Sequence, residues 1–83
     1  MAYHKREIKK GVIGSISKIE EELDELKEAF EEQKNPILSL VELSDLYGAI
    51  ECFLEYRFSD ISMDDLKQMS DLTKSSFKDG TRK

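Results

Sequence analysis

The first half of the chain carries apolar residues at helical spacing. They step by three and four positions: Ile16, Ile19, Leu23, Leu26 and Phe30. This period is typical of an amphipathic α-helix whose apolar stripe is buried. We predict a helix over residues 15–33, with Ser17 and Glu20 forming a capping box at its start, or with Ser15 as the alternative cap.

A second apolar segment follows after a short break. Asn35-Pro36 ends the first helix and starts the next, because Pro fits the first turn of a helix. The second helix is predicted over residues 36–56, packed antiparallel on the first, with Tyr47 in the core. It is apolar around most of its circumference, which is typical of a helix buried on several sides and favours association between copies. Gly48 inside it indicates that another helix approaches closely.

The two ends of the chain depart from this pattern. Residues 1–14 have no clear amphipathic period and contain two glycines, so we predict a basic N-terminal arm there. Ser62 and Asp65 can cap a third helix, predicted over residues 62–78. The pattern as a whole predicts a single all-α domain over residues 1–83, built as a helical hairpin plus a third helix.

Charge is abundant and unevenly distributed. Charged residues make up 37% of the chain, and the formal net charge of −5 argues against nucleic-acid binding by bulk electrostatics. Residues 19–33 carry eight acids against one lysine, whereas residues 1–18 carry five basic residues against one acid. No apolar run is long enough for a membrane span, and no signal-peptide pattern opens the chain. The single cysteine, Cys52, fits a reducing compartment, so we expect a cytoplasmic protein.

Two pairs of carboxylates stand three residues apart, Glu22 with Glu25 and Glu42 with Asp45. Residues at this spacing share a helix face, so each pair can direct two carboxylates to one point. In an antiparallel hairpin the two pairs offer four hard oxygen ligands, which suit Mg²⁺ or Mn²⁺. Ordinary surface acidity is the alternative for the first pair. The second pair lies among apolar neighbours, where an unpaired carboxylate is costly. The remaining acids of this helix that we expect to face solvent are Glu20, Glu28, Glu31 and Glu32.

Several cations could serve the same site. Lys18 lies one helical turn before Glu22 and could pair with a carboxylate or reach a phosphate. Lys74, Lys78 and Arg82 step by four and form a basic ridge if the third helix continues far enough. Cations that simply favour a helix C-terminus are an equally good explanation for each of them.

The combined pattern resembles a known family, the MazG-like all-α nucleoside triphosphate pyrophosphohydrolases in their small single-domain bacterial or phage form. The similarity lies in two acidic motifs and their spacing: Lys18-x-x-Glu21-Glu22-x-x-Glu25, a short helix break, and Glu42-Leu-Ser-Asp45. It extends over residues 10–82. In the last helix, Asp71-x-x-Lys74-x-x-x-Lys78 stands where the family often has N-x-x-K-x-x-x-R.

The resemblance implies Mg²⁺-dependent cleavage of a (d)NTP to a (d)NMP and pyrophosphate, in nucleotide-pool housekeeping. It implies that the four paired carboxylates bind Mg²⁺ and that Glu21 acts as a further ligand or orients the attacking water. It also implies that Lys18 steadies the acidic cluster or a phosphate, and that the cations of the last helix bind phosphate. Members assemble as dimers or tetramers, so a four-helix-bundle-like fold would be completed by oligomerisation.

Three other functions stay open at this point. The substrate could be phosphoribosyl-ATP or another specialised nucleotide. The chain could be a helical interaction module without catalytic activity. It could also be a nucleic-acid adaptor that uses the basic arm, although the acidic first helix argues against this third possibility.

Overall fold

The structure, a computed structural model, describes residues 7–79, and all regular secondary structure in this range is helical. Helix α1 spans Ile16–Lys27 and continues into a π-helical turn over Glu28–Glu32. Helix α2 spans Pro36–Arg57, and helix α3 spans Met63–Asp79. The all-α prediction is therefore confirmed, and the ends of α2 and α3 lie within one residue of those predicted. None of the helices in residues 7–79 is long and apolar enough to cross a membrane.

Local sequence signals explain where α2 and α3 begin. Asn35 is the N-cap of α2, and its side chain accepts a hydrogen bond of 3.0 Å from the Leu38 N–H, while Pro36 occupies the first helical position. At α3 the Asp65 N–H donates to Ser62 Oγ at 3.1 Å and the Ser62 N–H donates back to the Asp65 carboxylate at 3.0 Å. This reciprocal pair satisfies backbone donors that the helix leaves unpaired.

The predicted capping box at the start of α1 is wrong. The N-cap position is Ser15, the alternative, and its hydroxyl donates to the Val12 carbonyl instead of capping the helix. Ser17 lies inside the first turn, where its hydroxyl accepts a hydrogen bond from the Val12 N–H. Both serines are thus used to attach the preceding segment, so Glu20 is not needed as a capping partner.

The uniform helix predicted over residues 15–33 is interrupted. The π-helical turn takes five residues, and the Gln33 N–H donates to the Glu28 carbonyl across it at 2.9 Å. The wider turn changes the rotational position of the residues that follow it. Glu28 and Ala29, the first two residues of the turn, lie in the contact with α2, where they are 1% and 0% exposed. Glu28 was expected to face solvent, and that expectation is wrong.

The contact between α1 and α2 is largely polar. The buried polar residues of the described chain are Glu21, Glu22, Glu28, Ser39 and Glu42. Within residues 7–79, the buried apolar residues are only Ala29, Ala49 and Leu54. The fully buried positions are therefore mainly carboxylates and small residues, and Ile19 and Leu26 of the predicted apolar stripe are only half-buried.

The large apolar residues of the hairpin instead lie on its outside. We call the following exposed set the apolar face: Ile16 and Leu23 on α1, Phe30 on the π-helical turn that continues it, and Leu40, Leu43 and Tyr47 on α2. Around the axis of each helix, the apolar face lies about a third of a turn from the side that contacts the other helix. The rotation is in the direction of increasing residue number on both helices. Because the helices are antiparallel, both stripes face the same side of the hairpin. The prediction that the apolar stripe is buried within the chain is wrong for Ile16, Leu23 and Phe30, whereas Ile19 and Leu26 are half-buried. Tyr47, predicted in the core, is 57% exposed.

Helix α3 makes no substantial contact with α1 or α2 in the part of the chain described. Its exposed residues include Met69, Leu72 and Phe77. A side chain added at Gly48 on α2 would also meet no described atom within 4 Å. The close helix approach predicted at that glycine therefore does not occur within residues 7–79.

The segment before α1 has no regular secondary structure, and it is attached to both helices at the open end of the hairpin. The Gly11 N–H donates to Glu21 Oε1 at 2.9 Å, and Arg57 Nε donates to the Gly14 carbonyl at 2.9 Å. Gly14 has a φ of +85° and packs against the ring of Tyr56, so a side chain there would be strained and would overlap the ring. Residues 1–6 of the predicted arm lie outside the described residues.

Candidate metal and phosphate site

The carboxylates predicted to bind metal are brought together at the contact between α1 and α2. One group combines Glu21, Glu22 and Glu25, and a second combines Glu25, Glu42 and Asp45. In each group, one oxygen per residue lies within 4.8 Å of the others. Glu25 belongs to both groups, so the five residues form one carboxylate cluster spanning the two helices. The i,i+3 spacing on each helix is what directs its side chains to a common point.

The carboxylates of the cluster differ in their exposure to solvent. Glu22 and Glu42 are buried, Glu25 is half-buried, and Asp45 is exposed. Asp45 lies on the side of α2 opposite to the apolar face. The open side of the carboxylate cluster and the apolar face therefore point in different directions, so each can be occupied without blocking the other.

Glu22 carries the clearest sign of an unmet interaction. It is 6% exposed, and its Oε2 atom is buried without a hydrogen-bond partner. Burial raises the pKa of Glu22 to about 7, and the neighbouring Glu25 carboxylate adds to this shift, because it can accept a hydrogen bond from protonated Glu22 and repels ionised Glu22. A buried carboxylate oxygen without a donor is costly in its ionised form unless a cation lies against it. Carboxylate oxygens are also the donors that Mg²⁺ and Mn²⁺ prefer, so the cluster fits such an ion.

Lys18 is the cation inside the cluster. Its Nζ lies 3.1 Å from Glu21 Oε1 and 3.8 Å from Glu22 Oε1. Burial of the ammonium opposes the shift, but the hydrogen bond to Glu21 and the charge of Glu22 raise the pKa of Lys18. A single lysine is thus held protonated among several carboxylates and leaves the cluster negative.

Glu21 is already heavily engaged within the chain. It accepts hydrogen bonds from the Gly11 N–H at 2.9 Å and from Lys18, and Lys10 Nζ lies 3.6 Å from its Oε2. Burial opposes the shift, but these donors and charges lower the pKa of Glu21 below its usual value. A carboxylate with a lowered pKa is a weak proton acceptor.

The sequence reasoning missed Glu28. It is 1% exposed at the start of the π-helical turn, on the same side of the helix as the cluster. The signal was present, because Glu22, Glu25 and Glu28 step by three, but only the first pair was matched to a motif. Single-turn π-helices are frequent at functional sites.

The cations predicted on the third helix lie apart from this cluster. Lys74 and Lys78 are exposed on α3, which packs on neither α1 nor α2 in the described range. Arg82, the third member of that ridge, lies outside the described residues. Asp71 forms an exposed pair with Lys67 at 2.9 Å on α3. The phosphate-binding role of these lysines stays a prediction.

No family model, no curated protein and no solved structure matches this chain.

Proposed function

We propose that this chain is a divalent-cation-dependent nucleotide pyrophosphohydrolase of the MazG-like type. The carboxylate cluster carries the proposal. Two donor groups from two helices share Glu25, and a buried oxygen of Glu22 has no partner. A hairpin that served only as a scaffold would gain stability from an apolar contact at this place. Retaining five carboxylates there fits the binding of a cation, with Glu22, Glu25, Glu42 and Asp45 as its ligands.

A bound Mg²⁺ or Mn²⁺ would neutralise phosphate oxygens and acidify a water molecule. The residues of the chain have distinct tasks in this proposal. Glu21 is assigned to orienting a water through a hydrogen bond and not to removing its proton, because its lowered pKa makes it a poor proton acceptor. Lys18 keeps a positive charge beside Glu21 and Glu22, where it limits repulsion among the carboxylates before the cation arrives.

The proposed substrate is a (d)NTP, cleaved between its α- and β-phosphates to a (d)NMP and pyrophosphate. Phosphoribosyl-ATP or another specialised nucleotide is the narrower variant of the same chemistry. The proposed phosphate ligands also include Lys74, Lys78 and Arg82. This role requires that α3, from the same chain or from a second copy, reaches the carboxylate cluster. A basic side chain there would stabilise the pyrophosphate leaving group.

The proposed partner is a second copy of the chain. Two hairpins joined through the apolar face would form a four-helix bundle and bury Phe30, Leu40 and Tyr47 together with the rest of that face. Large contiguous apolar patches on small proteins mark interaction surfaces. A homodimer would bury the apolar face in one contact, and a homotetramer would require a further contact surface such as α3.

A helical interaction module without catalysis is the second candidate, and the same apolar face favours it. The two candidates differ in what the carboxylate cluster is for. A module should keep its fold and its partner when Glu42→Gln and Asp45→Asn remove cluster charge. A hydrolase should keep its fold but lose turnover.

The deciding experiment is pyrophosphate release from a panel of NTPs and dNTPs with Mg²⁺ or Mn²⁺. Wild type is compared with Glu42→Gln and with Glu55→Gln, an exposed glutamate on the same helix. We expect release by the wild type and by Glu55→Gln only. Equal release by Glu42→Gln would refute the site. A folded wild type that neither binds Mg²⁺ nor releases pyrophosphate would favour the interaction module.

A further inference from the structure

A cavity of about 270 Å³ lies beside the carboxylate cluster, between the start of α1 and the loop that precedes it. Its lining consists of Lys9, Lys10, Ser17, Glu20, Glu21 and Asp24. Glu21 belongs to both the lining and the cluster, so the cavity adjoins the carboxylate cluster at this residue. We call residues 9–14, of which Lys9 and Lys10 line the cavity, the N-terminal strap.

The strap has a defined position. The Gly11 N–H donates to Glu21 at 2.9 Å, the Val12 N–H donates to Ser17 Oγ at 3.0 Å, and Arg57 Nε donates to the Gly14 carbonyl at 2.9 Å. A methyl group on Gly11 would overlap the backbone carbonyl of Ser17, so this close approach requires glycine. The contacts place the two lysines next to the cavity at its N-terminal end.

Lys10 is suited to a ligand that is not part of the chain. Its ammonium lies 3.6 Å from Glu21 Oε2, and its side chain is 86% exposed. An exposed pair at this distance contributes little to stability. Its ammonium therefore keeps donors for a further anion. Lys18, in contrast, is directed inward to the carboxylates at 3.1 Å and 3.8 Å.

We propose that Lys10, assisted by Lys9, binds the phosphate chain of a polyphosphate ligand whose divalent cation is held by the carboxylate cluster. This assignment rests on the proposed function and deepens it. The two lysines of the strap line the cavity beside the carboxylate cluster. Lys74 and Lys78, in contrast, lie on a helix that does not pack on the hairpin. The strap thus supplies the phosphate-binding charge that the sequence pattern assigned to the third helix.

The charge of the residues that line the cavity indicates whether a polyphosphate would bind alone or as a complex with a divalent cation. Its lining has two lysines against three carboxylates, a formal balance of −1. A free phosphate or polyphosphate would be repelled by the three carboxylates. A complex of polyphosphate with Mg²⁺ places positive charge against the carboxylates and negative charge against the lysines. Binding should therefore require the divalent cation.

The test is isothermal titration of the full chain with inorganic tripolyphosphate, in Mg²⁺ or in EDTA. This probe has no nucleoside and needs no turnover. We expect binding in Mg²⁺ only. Lys10→Ala should weaken it about tenfold, the loss of one charge-assisted contact, and Lys10→Arg should stay within about threefold of wild type. Gly11→Ala should displace the strap and weaken binding by a similar factor. The matched control Lys27→Ala, an exposed lysine on α1 that has no proposed role in binding, should bind as wild type.

Several results would overturn the assignment. They are an unchanged Kd in Lys10→Ala, an equal loss in Lys27→Ala, tighter binding in EDTA than in Mg²⁺, and no binding by the wild type. The assignment and the proposed function can fail separately. Lys10-dependent binding without pyrophosphate release from any nucleotide would support the assignment and contradict the hydrolase. Pyrophosphate release with tripolyphosphate binding that Lys10→Ala leaves unchanged would contradict the assignment alone.

Discussion

Replacing Glu22 by Gln should stabilise the cation-free protein at alkaline pH and remove its response to Mg²⁺. Burial and Glu25 raise the pKa of Glu22 to about 7 from an ordinary value of 4.5. Between these two pH values the folded state retains a proton that the unfolded state has lost. The free energy of unfolding therefore falls as the pH rises from about 4.5 to about 7, and this contribution stays lost above pH 7.

The magnitude follows from the two pKa values. Their difference, at roughly 1.4 kcal/mol per pH unit, corresponds to about 3 kcal/mol by pH 8. Gln cannot ionise, and its amide can donate to the Glu25 carboxylate, so Glu22→Gln should recover about 1–3 kcal/mol at pH 8 without cation. A cation at about 100 times its Kd would stabilise the wild type by about 3 kcal/mol, and the variant should lose most of that gain.

The assay is urea denaturation at fixed protein concentration, at pH 5 and pH 8, in EDTA or Mg²⁺. The matched control is Glu31→Gln, which removes an exposed glutamate from the same helical segment and should change neither quantity. At pH 5 Glu22 is protonated in the folded state, so the variant and the wild type should differ little. If Glu22→Gln were less stable than the wild type in EDTA at pH 8, the carboxylate would be compensated within the chain and the reasoning would be refuted.

Three further predictions concern the frame around the site. Leu43→Glu on the apolar face should shift the protein to monomer in analytical ultracentrifugation, and an unchanged sedimentation coefficient would contradict association through that face. Asn35→Ala removes the side-chain acceptor for the Leu38 N–H and should lower the free energy of unfolding by about 1 kcal/mol, whereas Asn35→Asp should retain it. Arg57→Ala removes the hydrogen bond to the Gly14 carbonyl, so amide exchange of residues 11–14 should accelerate relative to that of α2. Unchanged protection would mean that the contacts to Glu21 and Ser17 hold the strap without Arg57.

Much of the helical framework could be predicted from sequence because its signals are local. Asn35-Pro36 and the Ser62 cap act on the backbone within a few residues, and the structure places both helix starts as predicted. The π-helical turn could not be predicted, since nothing in the composition of Glu28–Glu32 distinguishes it from an ordinary α-helical turn. The π-helical turn depends on the packing of the end of the first helix against α2, which is a contact between residues distant in the sequence.

The orientation of the hairpin could not be predicted because periodicity defines a stripe without defining what covers it. Leu23 and Phe30 form a regular apolar stripe, and the usual inference is that such a stripe packs inside its own chain. Here the carboxylate side of α1 packs on α2, and the stripe faces outward. The spacing of Glu22, Glu25, Glu42 and Asp45 could predict that the two pairs meet, because i,i+3 geometry is independent of which side is buried.

The arrangement of polar and apolar residues also makes the fold dependent on what binds it. A hairpin whose buried apolar residues are Ala29, Ala49 and Leu54 gains little from hydrophobic burial, and its buried carboxylates repel one another. In the proposed function a cation acts on one side of the hairpin and a second copy on the other, and both bind the folded state better than the unfolded chain. Mass action then makes the two effects add in the free energy of unfolding. The thermal midpoint should rise with protein concentration and with Mg²⁺ in the wild type. It should respond only to Mg²⁺ in Leu43→Glu and only to protein concentration in Glu22→Gln. A midpoint independent of both variables in the wild type would show that the single chain is stable by itself, and the dependence argued from its interior would be wrong.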